Sequence, residues 1–559
     1  MAKLSISNKS VKIIFGDNPS FIKEISNLLT GEKICRGGRQ TIIVRSPSHI
    51  SDPAYLFEIK SYQRSGGIIK LEFTDDSGAY KALMKISEYD LGLKFSLDVN
   101  SPEVIWMVEW RVSGFNFEQV TLPALGGQSL TREMTPELTL SYKYPFWWNA
   151  QFVLGENKKG GMFLHLKDEK PDFKLFRVKR DEDAFQFFLG FESNAPLEKR
   201  SLTAGWFLEC YEKDWRKPVE KHREWLEKKF NLRKYSNHPH FPDWASGINF
   251  VLEPWGMRKD QPEPHHTFDE ILKRIKDFAK LHEPKETLLY LPGFAENGID
   301  SHAPDYNPSE KCGGEIKFIG LVNAAHNLGY KVMVHTNSIA FTFSHPLFEK
   351  FKEYQVVDWF GKKLGWGMDI DGDWLSEDYF AYINPGFSEW GSYMEEVIGN
   401  LINKFSIDAV FLDQTLLAFN VGKGPNFIEG MRNYIHHLQT VFPNILFAGE
   451  GIHEEVLPVL PFAQIHGIDS LSEIHGMEGK KSWRNVHPVS SYLFGKYTRL
   501  CGHLLTKYPL HPKFRLQEES YAKLNVIPAL CLYKTSQKMN IPEVKKMIQR
   551  AKKLNKNIL

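Results

Sequence analysis

Two acidic residues of this 559-residue chain each follow a short apolar segment, in an arrangement that could cleave a glycosidic bond. Asp413 follows DAVFL and Glu450 follows ILFAG, 450 − 413 = 37 residues later. Glycoside cleavage needs one carboxyl that protonates the leaving oxygen and a second that attacks the anomeric carbon, about 5 Å apart when configuration is retained. If the two apolar segments are neighbouring strands of one sheet, they lie about 4.8 Å apart, which is close to this separation. The pair therefore predicts a retaining mechanism, with Asp413 as nucleophile and Glu450 as acid/base.

Other side chains could supply the hydrogen bonds and the stacking surface that a sugar ring needs. They end apolar segments or lie in the long segment before residue 380, and they are Glu253, Trp255, His335, Asn337, Trp366, Trp374, Gln414 and His466. We predict that they bind substrate. For any single one of these residues, a purely structural role is an equally good interpretation. Its side chain would then only hold a loop in place through hydrogen bonds or packing.

The sequence contains no recognisable spacing of metal ligands. Asp369, Asp371 and Asp373 alternate like the start of a calcium loop, but Trp374 and Phe380 replace the Gly and the Glu that such a loop requires. The five cysteines are scattered and form no C-x-x-C motif. We predict neither a metal nor a cofactor.

The elements that must position these residues change in type along the chain. Alternating segments such as KLEFTDD and FQFFLGFES predict an antiparallel β-sandwich over residues 1–210. A connecting helix and linker occupy residues 211–242. Over residues 243–559, apolar strands alternate with helical segments, which predicts a (β/α)₈ barrel. Active sites of such barrels lie where the strands end, so both carboxylates would stand at the ends of adjacent strands.

Composition excludes several classes of function. The net charge is 70 − 68 = +2 with interspersed signs, so no basic surface indicates nucleic-acid binding, and a near-neutral chain suits an uncharged sugar. We expect a carbohydrate substrate, no nucleic acid and no membrane association; oligomeric state does not follow. The N-terminal residues do not resemble a secretion signal, which predicts a cytoplasmic protein, although a chain from which a signal had been trimmed would look the same.

The carboxylate-bearing region also resembles a known group of enzymes. The run from YKVMVHTN through SIDAVFLDQ to ILFAGEG resembles the third to fifth barrel strands of the endo-α-N-acetylgalactosaminidase-like families of retaining α-glycoside hydrolases. In those families an Asp ending strand four is the nucleophile and a Glu ending strand five is the acid/base, which Asp413 and Glu450 match. The resemblance spans residues 244–467 and implies an α-linked, galacto-configured substrate. Phe411 and Leu417 replace the Arg and His of the α-amylase pattern, so starch is not implied.

Two alternatives remain open at this point. The α-galactosidase clan shares the fourth-strand Asp but places its acid, another Asp, after strand six, where Asp469 stands in this chain. The other alternative is a carbohydrate-binding barrel protein without catalytic activity. Comparison of Glu450→Gln with Asp469→Asn separates the two enzyme schemes.

Overall fold

The computed structural model describes residues 4–134, 136, 138–181, 183–258, 262–296, 298–366, 380–466, 486–502 and 514–556. These residues form two compact units, one ending at Phe230 and the other beginning at Asn231. Among them, no helix is both long enough and apolar enough to cross a membrane.

The described part of the first unit is built mainly from strands, some of which alternate between buried and outward-facing residues while others are buried throughout. They are β1 (Ser5–Ser7), β2 (Val11–Phe15), β3 (Phe21–Asn27), β4 (Glu32–Arg45), β5 (Ala54–Leu56), β6 (Glu58–Ser65), β7 (Ile68–Thr74), β8 (Lys81–Tyr89), β9 (Gly92–Asn100), β10 (Met107–Phe115), β11 (Gln119–Leu122), β12 (Gln128–Thr131), β13 (Thr139–Tyr144), β14 (Phe152–Glu156), β15 (Gly160–His165), β16 (Lys174–Arg180), β17 (Phe185–Glu192) and β18 (Ser201–Glu212).

These strands form two antiparallel sheets that share one hydrophobic core. The first sheet has the order β1-β2-β3-β4-β10-β17-β16-β13, with β5 also paired to β4, and the second has the order β12-β11-β14-β15-β18-β9-β8-β7-β6. Trp110 of the first sheet lies 4.9 Å from Trp206 of the second, measured between ring centroids. Phe95 stacks on Trp206 at 5.2 Å. The prediction of antiparallel sheets in the N-terminal region is confirmed, and helix α1 (Arg216–Phe230) completes this unit.

The second unit contains the strands that carry the predicted catalytic residues. They are β19 (Phe250–Pro254), β20 (Thr287–Leu291), β21 (Lys331–Asn337), β22 (Ala340–Thr342), β23 (Phe380–Tyr382), β24 (Ala409–Asp413), β25 (Leu446–Gly449), β26 (Phe462–Ile465), β27 (Arg499–Gly502) and β28 (Ala529–Leu532). Eight of them form a parallel sheet in the order β27-β26-β25-β24-β21-β20-β19-β28. Gly502 N donates to Ile527 O, and Ile527 N donates to Leu500 O, both at 2.9 Å. These bonds join the two ends of the sheet into a near-closed barrel.

Helices occupy most of the connections between barrel strands. They are α2 (Phe268–Phe278), α3 (Gly314–Leu328), α4 (Phe348–Phe351), α5 (Ser388–Phe405), α6 (Phe427–Val441), α7 (Val489–Phe494), α8 (Phe514–Leu524) and α9 (Pro542–Lys556). Local sequence features determine where some of these helices begin and end. Thr267 and Glu270 form a reciprocal capping box at the start of α2, and Gly329 ends α3 in the left-handed conformation.

The expected strict alternation of strand and helix fails between β25 and β26. Residues 450–461 connect these strands through turns and contain no helix. Twelve residues are close to the shortest length at which a crossover can include a helix, about 10–12 residues. Pro458 and Pro461 also lack the backbone N–H that a helix interior needs. The regular (β/α)₈ pattern is therefore incomplete at the strand that precedes Glu450.

Candidate active site

The polar cluster of the barrel lies directly beyond its apolar core. Alternate residues of a strand face the same side, so interior positions recur every second residue. The interior core includes Val251, Met333, Phe411 and Ala448. The residues two positions further along the same strands are Glu253, His335, Asp413 and Glu450. Strand periodicity therefore carries all four toward the carboxyl ends of the barrel strands.

The carboxyl groups of Asp413 and Glu450 lie within hydrogen-bonding distance of each other. The pKa of Asp413 is raised well above its ordinary value, first because burial disfavours the charged form and then because Glu450 and Asp300 add negative charge nearby. Two neighbouring carboxylates repel each other when both are ionised, which favours protonation of one member of the pair.

Asp300 is a third carboxylate of the cluster, and the sequence patterns did not identify it. Its side chain hydrogen-bonds to Asp413 and contacts His335 Nε2 at 3.0 Å through Oδ1. His335 Nδ1 lies 2.8 Å from the Tyr290 hydroxyl. Asp300 lies in the loop after β20 with a positive φ of 56°. The available signal was an Asp close to Gly298, a combination typical of a tight turn.

Glu450 is contacted by a backbone N–H and by a histidine side chain. The backbone N–H of Gln414 donates to Oε2 at 3.0 Å, and His466 Nε2 lies 3.2 Å from Oε1. Gln414 has a φ of +61°, a conformation that non-glycine residues adopt rarely and that is found at functional sites. This backbone geometry directs its N–H toward Glu450.

Asn337 holds the Asp413 carboxylate in place. Its Nδ2 donates to Asp413 Oδ2 at 3.3 Å, while its Oδ1 accepts from the backbone N–H groups of Ile339 and Ala340 at 3.1 and 2.9 Å. The N–H of Asn337 donates to the Tyr306 hydroxyl at 2.7 Å. Asn337 is fully buried. The structure thus shows it bonded to protein groups on every side.

Glu253 and Trp255 are enclosed at the end of β19. Glu253 is fully buried, and neither of its carboxylate oxygens has a hydrogen-bond partner among the residues that the structure describes. Burial raises the pKa of Glu253 well above its ordinary value, because it disfavours the charged form of the carboxyl. Trp255 is also buried and lies 5.5 Å from the ring of Tyr533.

The remaining predicted residues are not brought into this cluster by any described contact. Trp366 packs against Phe380, with ring centroids 5.5 Å apart, beside the small antiparallel sheet of β22 and β23. Trp374 and Asp469 lie outside the described residues. Their proposed roles in stacking and in acid catalysis stay predictions.

Two groups of side chains have ligand atoms within 4.8 Å of one another and were considered as metal sites: Asp300, His335 and Asp413, and His302, Asp305 and His345. In the second group, the N–H of Leu347 donates to His345 Nδ1. The proton of the neutral ring is then on Nε2, which faces Asp305 at 3.0 Å. A metal at Nε2 would have to displace that proton. In the first group, His335 has a protein partner at each ring nitrogen.

Comparison with protein families provides a classification. Residues 202–505 match the family described as Domain of unknown function (DUF6259). The match covers 304 residues, more than half of the 559 in the chain. The chain belongs to the DUF6259 family. No curated protein matches this DUF6259 protein in sequence.

Solved structures show which fold this DUF6259 protein shares. The ligand-free α-N-acetylgalactosaminidase NagBb from Bifidobacterium bifidum superposes with a TM-score of 0.72 at 11% identity, covering 98% of this chain and 93% of that one. Its GalNAc complex gives a TM-score of 0.70 at 12% identity, with 99% and 93% covered. An α-galactosidase from Thermus thermophilus gives 0.53 at 12% identity, with 84% and 92% covered. The two-unit architecture is therefore a known fold of glycosidases.

Proposed function

We propose that this DUF6259 protein is a retaining α-glycoside hydrolase, with Asp413 as nucleophile and Glu450 as acid/base. The observation that carries the proposal is the contact between these two carboxyls at the ends of adjacent parallel strands. Hydrolysis with retention needs one ionised carboxylate and one carboxylic acid side by side, and a pair that holds one proton supplies both.

The mechanism begins when the sugar enters between the two carboxyls. The sugar separates the pair from contact toward the about 5 Å that a retaining reaction uses. The reactive state has the proton of the pair on Glu450 and Asp413 as the ionised nucleophile, held by Asn337 Nδ2. Asp413 then attacks the anomeric carbon while Glu450 protonates the leaving oxygen. In the second step, Glu450 takes a proton from water, which hydrolyses the glycosyl-enzyme.

The proposed substrate carries a terminal α-linked galactose or N-acetylgalactosamine. The support is the shared fold with an α-N-acetylgalactosaminidase that has been solved with GalNAc, together with the α-galactosidase neighbour. Asp300 and His466 line the carboxylate cluster and offer hydrogen-bonding groups to sugar hydroxyls, and His335 holds Asp300 in place. The acid role is given to Glu450 because its carboxyl lies beside that of Asp413. The alternative acid, Asp469, lies outside the described residues, and comparison of Glu450→Gln with Asp469→Asn decides between them.

Azide rescue of two matched variants tests the two roles. Asp413→Gly should lose turnover of aryl α-galactosides and aryl α-N-acetylgalactosaminides, and added azide should restore it with formation of a β-glycosyl azide. Glu450→Gly with an activated aryl glycoside should instead give an α-glycosyl azide, because azide then replaces water in the second step. Wild-type rates in the Asp413→Gly protein would overturn the nucleophile assignment.

A further inference from the structure

An open pocket of about 810 Å³ lies on the first sheet of the N-terminal unit, formed only by residues of that unit. Its volume falls within the about 300–1,000 Å³ that is usual for small-molecule sites. Three aromatic residues, Phe21, Tyr55 and Phe57, stand at its border, and Arg39, Thr41 and Arg111 contribute polar groups. None of these residues belongs to the carboxylate cluster of the barrel.

The sheet builds this pocket at a junction between two strands. β3 pairs with β4 up to the Phe21–Arg39 pair, and β5 pairs with β4 only from Ile42 onward. Two strands thus follow one another along the same edge of β4. Gln40 lies on the core side of this junction. Its Nε2 donates to Pro19 O, and its Oε1 accepts from Trp110 Nε1.

Strand alternation sends the pocket residues away from the hydrophobic core. Gln40 and Ile42 are buried on the core side of β4, so Arg39 and Thr41 face the opposite side. Arg111 of β10 is the cross-strand partner of Thr41 and shares that face. On β5, Leu56 is buried, which leaves Tyr55 and the following Phe57 on the outer side.

The aromatic residues of this pocket are unusually exposed for this chain. Among the described residues, the exposed aromatic side chains are Phe21, Tyr55, Phe57, Tyr62 and Phe360. Three of these five border the one pocket, with 39%, 44% and 45% of their surfaces exposed. Exposure of such rings to water is unfavourable, and a cluster of them marks a binding surface. Flat aromatic faces offer apolar contact to ligands that also carry polar groups.

The polar residues offer hydrogen bonds at the same place. The Arg39 guanidinium is exposed and has no hydrogen bond or ion pair to any described residue. The Gln186 side chain fixes the Arg111 guanidinium. With the Gln186 amide oriented so that its oxygen faces Arg111, this oxygen accepts two hydrogen bonds of 2.9 Å from the guanidinium. Glu58 places a carboxylate at the border of the same pocket. The pocket thus offers hydrogen-bond donors on positively charged side chains and an acceptor on a negatively charged one, beside aromatic faces. The hydroxyls of an uncharged sugar chain can bond to these polar groups, and its apolar faces can pack on the rings.

We propose that this pocket is a second, non-catalytic carbohydrate-binding site that holds a short neutral oligosaccharide. Sugar rings pack on Phe21, Tyr55 and Phe57, and their hydroxyls bond to Arg39 and Thr41. The choice of sugar rests on the proposed function, since the oligosaccharide would belong to the same α-galactosyl or α-N-acetylgalactosaminyl class. Binding itself requires no turnover.

The test measures binding to the full chain carrying Asp413→Asn, so that the probes are not consumed. The probes are immobilised α-galactosyl and α-N-acetylgalactosaminyl oligosaccharides of two to four rings. The Tyr55→Ala/Phe57→Ala double variant and the separate Arg39→Ala variant should each weaken binding by about tenfold or more. Tyr62→Ala removes an equally exposed tyrosine, 49% exposed, from the other sheet and should leave binding unchanged.

The same substitutions in the chain with Asp413 intact separate this proposal from the proposed function. Turnover of a one-ring aryl α-glycoside should stay within about twofold of wild type, because the pocket is not part of the barrel site. Arg39→Ala alters only an exposed side chain, so its result stands even if the double variant folds poorly. Absence of binding to every probe, or binding that Arg39→Ala and the double variant leave unchanged, would overturn the proposal whether or not the aryl glycoside is hydrolysed.

Discussion

At the scale of single residues, the central feature is a set of carboxyls in unequal surroundings. Asp413 is half-buried beside two other carboxylates, whereas Glu450 receives a backbone N–H and faces His466. Glu253 has no hydrogen-bond partner among the described residues, and burial raises its pKa. The strand positions of all three could be read from the sequence, because each follows a local apolar run. Their mutual contacts could not, because these depend on side-chain conformations and on the loop that carries Asp300.

Replacement of the proposed acid should affect substrates according to their leaving groups. Glu450→Gln cannot donate a proton, so we expect a loss of about 10²- to 10⁴-fold in kcat/KM for poor leaving groups such as alkyl glycosides. The loss should be much smaller for dinitrophenyl glycosides, whose leaving group needs no protonation. Steady-state rates across a leaving-group series measure this, with the exposed Glu429→Gln as control. An equal loss for all leaving groups would contradict the acid role.

The buried Glu253 predicts a particular dependence of stability on pH. Its folded pKa lies above its unfolded value, so the folded state binds this proton more tightly. Stability is then lost as the pH rises from the unfolded pKa toward the folded pKa, by about 1.4 kcal/mol for each unit of difference. Glu253→Gln cannot ionise and removes this dependence. We expect the melting temperature of Glu253→Gln, relative to that of wild type, to rise from pH 5 to pH 8. A difference in melting temperature that stays constant with pH would contradict the prediction.

At the scale of elements, strand periodicity explains most of the site and loop conformation explains the rest. The segments KVMVHTN, DAVFLDQ and ILFAGEG contain β21, β24 and β25, and their interior and exterior residues are largely apolar. The missing helix after β25 was not predicted, although two prolines gave a local reason for it. The left-handed Gln414 was not predicted either. Its conformation follows from the tertiary bond to Glu450 rather than from any residue preference.

Two helix ends offer a matched test of such backbone conformations. Ser406 ends α5 with a φ of 55° and an exposed side chain, whereas Gly329 ends α3 with a φ of 101°. Ser406→Gly should stabilise the second unit by about 0.5–1 kcal/mol, because glycine adopts this conformation without strain. Gly329→Ala should destabilise it by about 1 kcal/mol, since the new Cβ meets nothing closer than 3.7 Å and only strain remains. Denaturant midpoints of both variants measure the two signs.

At the scale of the whole molecule, the two units have separate hydrophobic cores. The core of the sheets contains Trp110 and Trp206, and the core of the barrel contains Phe411 and Ala448. Aromatic residues make up 13% of the chain, and many of their rings are buried in the sheet core. The exposed ones that border the N-terminal pocket could not be distinguished from core residues by sequence, because alternation alone does not say which face is covered.

Because the two cores are separate, a destabilising substitution in one core should lower the stability mainly of the unit that contains it. Trp206→Ala removes a fully buried ring that contacts Phe95 and Trp110, and should cost about 3–5 kcal/mol. Hydrogen exchange read by mass spectrometry should show faster exchange in peptides before Phe230. Peptides of barrel strands β19 to β25 should keep wild-type rates. Equal acceleration in both sets would show that the two units unfold together.

The central claim is that Asp413 forms a covalent bond to the sugar. The most direct test uses the 5-fluoro glycosyl fluoride of whichever aryl α-glycoside is hydrolysed, because the fluorine slows release of the glycosyl-enzyme. After rapid digestion, mass spectrometry locates the label. The account predicts one added fluoroglycosyl mass on the peptide that contains Asp413, and none in Asp413→Asn. A label on any other residue, or hydrolysis that releases the sugar with inverted configuration, would contradict it.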